Sequence, residues 1–448
     1  MTTTTRRARR TAAALACTAS LALLAGACTG SSEGSANDDA SKDVTLTFWH
    51  GWSQANEVKA INDNIAAFEK AHPNIHVNVV KNVTDDKINQ ALRAGGSDAP
   101  DVVSSFTTDN VGKFCSSGVW SDLGPFLAKS GIDVAKTFPA AMAQYTQFNG
   151  TRCALPLLAD AYGLYYNKDA FKAAGITAPP KTLSEFAEDA KKLTKTSGDG
   201  YSRLGFMPDF HGYESTPTHF LGQWGATYFD SAGKSNLAND PKVTAMFQWQ
   251  QKLVSDLGGF KKLEKYRSGF GEEFSEKNPF ETGQVAMAID GEWRIANLQA
   301  DGVKFDWGTA PFPVPDDLAS SYGRGYQTGT IIGIAHTSTK QNAAWELVKY
   351  LTTDTDAVVG FANAIHNVPS TFAALRSPKV DSDPNFRTFL DIAGNADSST
   401  TPASINGGAY QVSLQNFGYA YEAGKVSDLK AGLAGVDKEI DAAIDQAK

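Results

Sequence analysis

The chain has 448 residues, of which 42% are hydrophobic and 20% are charged, and its formal net charge is −8. The apolar fraction is sufficient for folded cores, and the length favours two lobes or domains over one. The acidic balance argues against a nucleic-acid-binding protein, which needs a basic surface to neutralise phosphates. Beyond the extreme N-terminus, no stretch is apolar over the ~18 residues that a membrane-spanning helix needs.

The N-terminus has the pattern of an export signal over residues 1–27. Arginines between positions 6 and 10 precede an apolar stretch over residues 11–27, and Cys28 follows directly. The last residues before Cys28 resemble a bacterial lipobox, although Ala25 stands where leucine is typical. We therefore predict cleavage before Cys28 and lipidation of its thiol. The alternative is plain secretion, with Cys28 removed or left free.

Residues 29–43 are small and polar and show no periodic pattern, which predicts a flexible tether behind the Cys28 anchor. A flexible chain of this length has a root-mean-square reach of roughly 20 Å. The predicted location is therefore extracellular, with the folded body held close to the outer face of the cell membrane.

The folded part opens with alternating strand and helix patterns. Apolar residues alternate with period two over 44–49 and 75–79, and a short apolar segment follows at 101–106. Between these segments, apolar residues recur at steps of three and four over 58–68 and 88–92, as in amphipathic helices. This β-α-β-α-β order predicts a parallel sheet covered by helices.

Further elements follow in the same α/β pattern. Thr182 and Glu185 form a capping box at the start of a helix. The segments 155–163 and 309–315 contain prolines and are predicted to be connections rather than core strands. The remaining predicted elements are strands at 285–289 and 330–335 and helices at 341–351 and 427–446.

Cys115 and Cys153 are the two cysteines that follow the predicted signal and anchor. An exported chain folds in a compartment that permits disulfides, and we predict a Cys115–Cys153 bridge. In the chain-entropy model such a bridge contributes about 4 kcal/mol. The alternative is two buried free thiols. Neither cysteine has a further cysteine or histidine at metal-ligand spacing, so no zinc site is expected.

Four segments, in order along the chain, resemble bacterial extracellular solute-binding proteins of the maltose-binding-protein-like group, which deliver carbohydrates to ABC importers. Residues 44–52 (VTLTFWHGW) resemble the first strand and ligand loop of that family. Residues 164–193, with the start Tyr-Tyr-Asn-Lys-Asp and the helix entry Pro-Pro-Lys-Thr, match most closely. Residues 280–293 contain the Asp-Gly-x-Trp segment, and residues 329–351 a Gly-rich strand before an Ala-Ala-Trp-Glu helix.

The resemblance implies a periplasmic-binding-protein-like fold, with two α/β lobes joined by hinge strands and the ligand cleft between them. By analogy, lobe one comprises residues 44–155 and 310–365. Lobe two comprises residues 156–309 and 366–448.

A sugar ring has apolar faces and a rim of hydroxyls, so its site needs aromatic platforms and planar polar partners. Open α/β sheets place ligands at the carboxyl ends of their strands. The candidate ligand-binding residues, chosen on these grounds and on the resemblance, are Trp49, His50, Trp52, Thr108, Asp109, Asp160, Tyr162, Phe210, Tyr213, Asp290, Glu292, Trp293, Tyr326, Thr328 and Asn367.

Competing interpretations apply to several of these residues. A tryptophan is commonly a core residue, which applies to Trp49 and Trp52, and Asp109 equally suits a helix cap before Val111. Phe210 and Tyr213 lie in a Gly-rich stretch that is predicted to be an aromatic loop over the cleft, or else an ordinary surface loop. In the family, the residue that corresponds to Trp293 commonly stacks on the ligand.

The sequence therefore predicts a non-enzymatic, monomeric carbohydrate-binding subunit of an ABC importer, with no cofactor and no nucleic-acid partner. Its predicted partners are the ABC permease subunits and, through the lipid anchor, the membrane. One alternative is a sugar-sensing or adhesive binding protein without an importer. Another is a glycoside hydrolase that uses Asp290 and Glu292 as its carboxylate pair. An amino-acid or peptide ligand is a further alternative, which a position of Trp293 far from the cleft would favour.

Overall fold

The computed structural model describes residues 42–96, 99–212 and 214–448. The predicted signal peptide, Cys28, the tether up to residue 41 and the candidate Tyr213 lie outside the described residues.

Strands in the described part of the chain follow the predicted α/β order. Val44–Trp49 and Ile75–Val80 form where apolar residues alternate, and both agree with the sequence prediction. The strands are β1 Val44–Trp49, β2 Ile75–Val80, β3 Val102–Ser105, β4 Leu155–Asn167, β5 Lys195–Ser197, β6 Gly200–Arg203, β7 Met287–Gly291, β8 Trp307–Ala310, β9 Gln327–Ile334 and β10 Val368–Pro369.

Helices cover these strands and supply most of the connections. The predicted capping box is confirmed, because Thr182 accepts a hydrogen bond from the Glu185 backbone and Glu185 reaches back to Thr182. Among the described residues, no helix is long and apolar enough to cross a membrane. The α-helices are α1 Ala55–Ala71, α2 Asp85–Ala94, α3 Val111–Ser117, α4 Gly124–Lys129, α5 Val134–Thr137, α6 Ala140–Gln144, α7 Lys168–Ala173, α8 Leu183–Leu193, α9 Pro217–Gln223, α10 Pro241–Asp256, α11 Phe260–Arg267, α12 Arg294–Ala300, α13 Gln341–Thr353, α14 Thr355–Ile365, α15 Phe372–Leu375, α16 Pro384–Gly394, α17 Ala409–Glu422 and α18 Leu429–Gln446.

The main sheet is mixed rather than purely parallel. Strand β1 pairs in parallel with β2 and β3, as the β-α-β-α-β pattern predicts. Strand β9 then pairs antiparallel with both β3 and β4. The connected path is β2-β1-β3-β9-β4-β10, with β7 and β8 also pairing with β4. An antiparallel partner from a distant part of the chain leaves no signal in the local pattern, so the prediction covered only part of the sheet.

Strand β4 corrects the prediction that residues 155–163 form a connection. Its 13 residues are almost entirely buried. The pairing register with β9 shifts between Pro156 and Leu158, which accommodates a proline inside the sheet. At Gly163, a Cβ atom would lie 3.0 Å from the Phe389 ring, so a close approach of neighbouring groups explains the glycine. The residues that suggested a connection therefore serve a core strand.

Strand β4 also changes partners along its length. Residues from Leu155 to Ala161 pair with β9, and two of them also pair with β10. Residues from Tyr162 to Asn167 pair instead with β7 and β8. One continuous strand thus belongs to two groups of strands, and the change of partners falls between Ala161 and Tyr162.

The predicted disulfide is confirmed. Cys115 of α3 and Cys153, just before β4, are bonded, with their Cα atoms 5.4 Å apart and a sequence separation of 38 residues. Cys153 is fully buried, so the bridge fastens α3 to the start of the longest strand at a position inside the core.

Candidate functional site

A cavity of about 280 Å³ lies beside the point where β4 changes partners. Its walls come from turns, strand ends and helix starts that are far apart in the sequence. The lining residues are Asp109, Tyr162, Thr216, Thr218, His219, Tyr326, Thr328, Gly408, Gln411, Val412 and Gln415. Of these, Asp109, Tyr162, Tyr326 and Thr328 are among the predicted ligand-binding residues.

Aromatic rings form one wall of the cavity. The ring centroid of Tyr162 lies 4.6 Å from that of His219 and 5.3 Å from that of Tyr326. Trp293 meets Tyr162 edge-on at 5.4 Å, so it stands directly behind this wall. Packed rings with restricted mobility can present flat apolar surface to a ligand at little entropic cost.

Polar side chains form another part of the cavity lining. Gln411 of α17 donates through Nε2 to Asp109 Oδ2 at 2.7 Å, and its Oε1 accepts from the Thr218 hydroxyl at 3.1 Å. Thr218 also shares a hydrogen bond with the Tyr228 hydroxyl at 2.7 Å. This chain connects residues that are 302 positions apart and orients Asp109 and Gln411 at the cavity.

Behind Tyr162, two carboxyl groups meet where β4 changes partners. Asn367 Nδ2 donates to Asp160 Oδ1 and to Glu292 Oε1, both at 2.7 Å. Glu292 Oε2 accepts from the Ala161 backbone N–H at 3.0 Å. Thr328 of β9 donates to Asp160 Oδ2 at 3.4 Å. Four of the predicted site residues are therefore brought together here.

Burial sets the protonation of this group. It raises the pKa of Asp160 to about 6, although the hydrogen bonds from Glu292, Thr328 and Asn367 act in the opposite direction. Burial, and after it the charge of Asp160, raises the pKa of Glu292 well above its ordinary value. The two carboxyl groups are therefore best accommodated with a proton between them.

The raised pKa of Asp160 gives a pH-dependent prediction for Asp160→Asn. A folded pKa near 6, above the ordinary value of 3.8, means that ionisation of Asp160 costs stability as pH rises from about 4 to above 6. The variant cannot ionise there and retains an acceptor for Asn367. We expect the melting temperature of the variant, relative to the native protein, to increase by about 1–3 °C between pH 4.5 and pH 7.5. A difference in melting temperature between the variant and the native protein that stays constant from pH 4.5 to pH 7.5 would contradict the raised pKa of Asp160.

Asp290 is held by a neighbouring buried ion cluster. Arg294, 1% exposed, donates through Nε to Asp290 Oδ2 at 2.7 Å and through Nη1 to Glu281 Oε1 at 2.8 Å. Burial raises the pKa of both carboxyl groups, to about 7 for Glu281, against the opposing effect of Arg294. Asp290 therefore positions α12, which follows Trp293, and does not line the cavity described above.

Three further candidate residues, Trp52, His50 and Phe210, pack in the core rather than at the cavity. Trp52, 3% exposed, meets the rings of Phe106 and Phe361 edge-on, at 5.4 and 5.0 Å. His50 is fully buried beside Trp52, and burial followed by the charge of Lys81 lowers its pKa to about 4.

Phe210 was predicted on an aromatic loop over the cleft. The structure instead buries its ring completely, between Phe220 and Phe247. Trp49 is half-buried against the core, and Thr108 is buried next to Asp109; neither lines the cavity.

Sequence reasoning missed the contribution of two helix starts. Thr216, Thr218 and His219 come from the start of α9, and Gln411 from the start of α17. These residues lie after polar loops with no strand pattern, and the sequence-based prediction rested on the ends of strands. The Thr-Pro pair at positions 216 and 217, a frequent helix entry, was the available local signal.

One cluster has the composition of a metal site. The ligand atoms of Asp209, His211 and Glu264 all lie within 4.8 Å of one another. However, Arg267 Nε lies 3.2 Å from Asp209 and 3.0 Å from Glu264. Burial alone lowers the pKa of His211, but hydrogen bonds with Asp209 and Glu422 raise it to about 9. Protonated His211 and Arg267 already balance these carboxylates, so the cluster is an ion-pair network.

A cavity of this kind, at a change of strand partners, is typical of proteins that bind a small solute in a pre-formed site. The family model for bacterial extracellular solute-binding proteins matches residues 51–358. The chain belongs to this family.

Relatives of the chain differ in the ligands that their names state. A maltotriose-binding protein of Pyrococcus abyssi is 22% identical over 342 residues, which is 76% of this chain and 69% of that protein. An sn-glycerol-3-phosphate-binding periplasmic protein of Brucella abortus is 25% identical over 276 residues, 60% of this chain and 61% of that protein. The mannotriose-bound structure of CpMnBP1 is 25% identical, with a TM-score of 0.72 over 88% of this chain and 99% of that one.

Proposed function

We propose that the chain is the extracellular solute-binding subunit of an ABC importer and that its ligand is a carbohydrate, an oligosaccharide. Membership in the family of extracellular solute-binding proteins supports the importer role. The observation that carries the carbohydrate assignment is the cavity, which sets the rings of Tyr162 and Tyr326 against hydroxyl and amide groups such as those of Thr218 and Gln411. Stacking on ring faces and bonding to many hydroxyls suit a sugar.

We also propose the two-lobe arrangement, with residues 44–155 and 310–365 in one lobe and 156–309 and 366–448 in the other. The two groups of strands that share β4 support a division into two lobes, but the partner change between Ala161 and Tyr162 and the pairing of β10 with β4 put residues 156–161 and 368–369 with the strands of the first lobe. The cavity receives Asp109 from the first lobe and Gln411 from the second. Ligand would favour a closed arrangement by making contacts with both lobes that an open arrangement lacks.

The anchored form of the protein is a further part of the proposal. Lipidation of Cys28 would retain the subunit at the outer face of the membrane, where the tether allows it to reach the permease. The proposed subunit is monomeric and has no catalytic role. In support of binding rather than hydrolysis, the carboxyl of Asp290 is bonded to Arg294, and that of Glu292 to Asn367 and the Ala161 backbone.

Isothermal titration calorimetry against mono- and oligosaccharides, with amino acids and peptides in parallel, tests the carbohydrate assignment. We expect at least one saccharide to bind, and a chain that binds another solute class but no saccharide would contradict the proposal.

Within that assay, Trp293→Ala is expected to weaken saccharide binding by more than about 1 kcal/mol, since Trp293 supports the Tyr162 ring at 5.4 Å. The matched control is Trp249→Ala, which removes another half-buried tryptophan, on α10, that does not line the cavity. Equal affinities for Trp293→Ala and the native protein would remove Trp293 from the site.

A further inference from the structure

Among the described residues, the cavity wall carries an acidic side chain without a positive partner. Burial raises the pKa of that side chain, Asp109, against the opposing effect of hydrogen bonds from Gln411 and Thr401. Asp109 lines the cavity, and none of the lining side chains is a lysine or an arginine. The histidine in the wall, His219, is neutral at physiological pH because burial lowers its pKa to about 3. Arg294, a buried guanidinium that does not line the cavity, already donates to Asp290 and Glu281.

Two more carboxyl groups stand directly behind the wall. Glu214 Oε2 lies 3.4 Å from His219 Nε2, and Asp160 accepts from the cavity-lining Thr328. Burial raises the pKa of Tyr162, and the charges of Glu214 and Asp160 raise it further. Burial and the charges of Asp109 and Glu214 do the same for Tyr326. Both tyrosines line the cavity as neutral hydroxyl groups. Burial also raises the pKa of Glu214 well above its ordinary value, so Asp109 is the acidic group that the wall itself presents.

Asp109 also has unused capacity to accept a hydrogen bond. Gln411 donates to its Oδ2 and the Thr401 hydroxyl also acts on the carboxyl group, whereas the buried Oδ1 has no partner of good hydrogen-bond geometry in the part of the chain that the structure describes. A buried carboxylate oxygen needs a donor to offset its lost hydration. Sugar hydroxyls and ammonium groups are donors, whereas the oxygens of an ionised phosphate are acceptors and carry like charge.

Building on the proposed carbohydrate function, we propose that the cavity selects solutes by charge. It binds saccharides that are uncharged or carry an ammonium group, and it rejects solutes that carry a phosphate. In this respect the chain differs from the sn-glycerol-3-phosphate-binding relative, whose name states a phosphate ligand. The determinant is Asp109 in the wall, which has no lysine or arginine beside it among the described lining residues.

Calorimetry with matched ligands tests the proposal on the full mature protein. The probes are maltose and maltose 6′-phosphate, cellobiose and cellobiose 6′-phosphate, the chitosan disaccharide, and sn-glycerol-3-phosphate. We expect no binding of sn-glycerol-3-phosphate, and phosphate esters that bind at least about tenfold more weakly than their neutral partners, because like charges repel strongly in a partly buried site. The chitosan disaccharide should bind at least as tightly as cellobiose. Binding of sn-glycerol-3-phosphate, or of either ester as tightly as its neutral partner, would overturn the proposal.

The Asp109→Asn variant tests whether the negative charge of Asp109 causes the weaker binding of phosphate esters. Asparagine keeps a carbonyl acceptor for Gln411 but removes the negative charge. The ratio of the dissociation constant of a phosphate ester to that of its neutral partner should therefore fall by at least about threefold. A purely structural role would weaken both ligands alike and leave that ratio unchanged. Asp63→Asn, an exposed aspartate on α1, is the matched control and should leave the ratio at its native value.

The outcomes separate this inference from the proposed function. A chain that binds saccharides and their phosphate esters equally keeps its carbohydrate function and loses charge selection. A chain that binds an amino acid, no saccharide and no phosphate keeps charge selection and loses the carbohydrate assignment.

Discussion

Replacing Arg294 with leucine is expected to destabilise the folded protein by about 3–5 kcal/mol. The guanidinium is 1% exposed, and its Nε and Nη1 groups hold Asp290 at 2.7 Å and Glu281 at 2.8 Å. Leucine would leave two buried carboxyl groups without their counterion. Both would have to take up protons or draw in water, which is why the loss of one partner from a buried ion pair costs so much. Chemical denaturation monitored by circular dichroism measures the change.

Arg387→Leu is the matched control for Arg294→Leu. Arg387 also bonds an aspartate four positions away, Asp391, at 2.9 Å, but both side chains are 61% exposed. Exposed pairs of this kind contribute ~0–1 kcal/mol, so this variant should unfold close to the native midpoint. The triple change Arg294→Leu, Asp290→Asn and Glu281→Gln should recover part of the loss, because no buried charge remains. Equal losses for Arg294→Leu and Arg387→Leu would show that burial is not the cause.

Removing the disulfide by the double change Cys115→Ala and Cys153→Ala is expected to cost about 2–4 kcal/mol. The bridge closes a loop of 38 residues, so its loss restores conformational freedom to the unfolded chain. It also releases α3 from the start of β4, since Cys153 is buried there. Urea denaturation of the native and double-variant proteins measures the effect.

Reduction of the native protein supplies an independent check on the disulfide. The reduced native protein should unfold close to the midpoint of the double variant, and the double variant itself should be insensitive to the reductant. A double variant as stable as the oxidised native protein would contradict the expected contribution.

Local sequence pattern was sufficient where one face of an element meets the core. The alternation over 44–49 and the capping box at Thr182 correspond directly to β1 and the start of α8. It failed for β4, where Pro156 and Gly163 suggested a connection, because the bulge and the close packing that accommodate them involve β9 and Phe389, far away in sequence.

Contacts between residues far apart in sequence also limited the prediction of the candidate site. Trp52 and Trp293 both follow a strand, but Trp52 packs against Phe361, more than 300 positions away, whereas Trp293 packs against the cavity-lining Tyr162. The sequence identified Asp160, Glu292 and Asn367 individually, and only the fold shows that they share hydrogen bonds. His219 and Gln411 were missed because helix starts, unlike strand ends, were not expected to meet the ligand.

Strand β4 has a mechanical consequence. Thirteen extended residues span about 43 Å, and both groups of strands are hydrogen-bonded to this one segment. A relative rotation of the two groups of strands would therefore have to twist β4 through small changes in its φ and ψ angles, because a hydrogen-bonded strand is stiffer than a flexible linker. The partner change falls at Ala161 and Tyr162, and Tyr162 also lines the cavity. A ligand bound against Tyr162 would therefore contact β4 directly at the point where its pairing partners change.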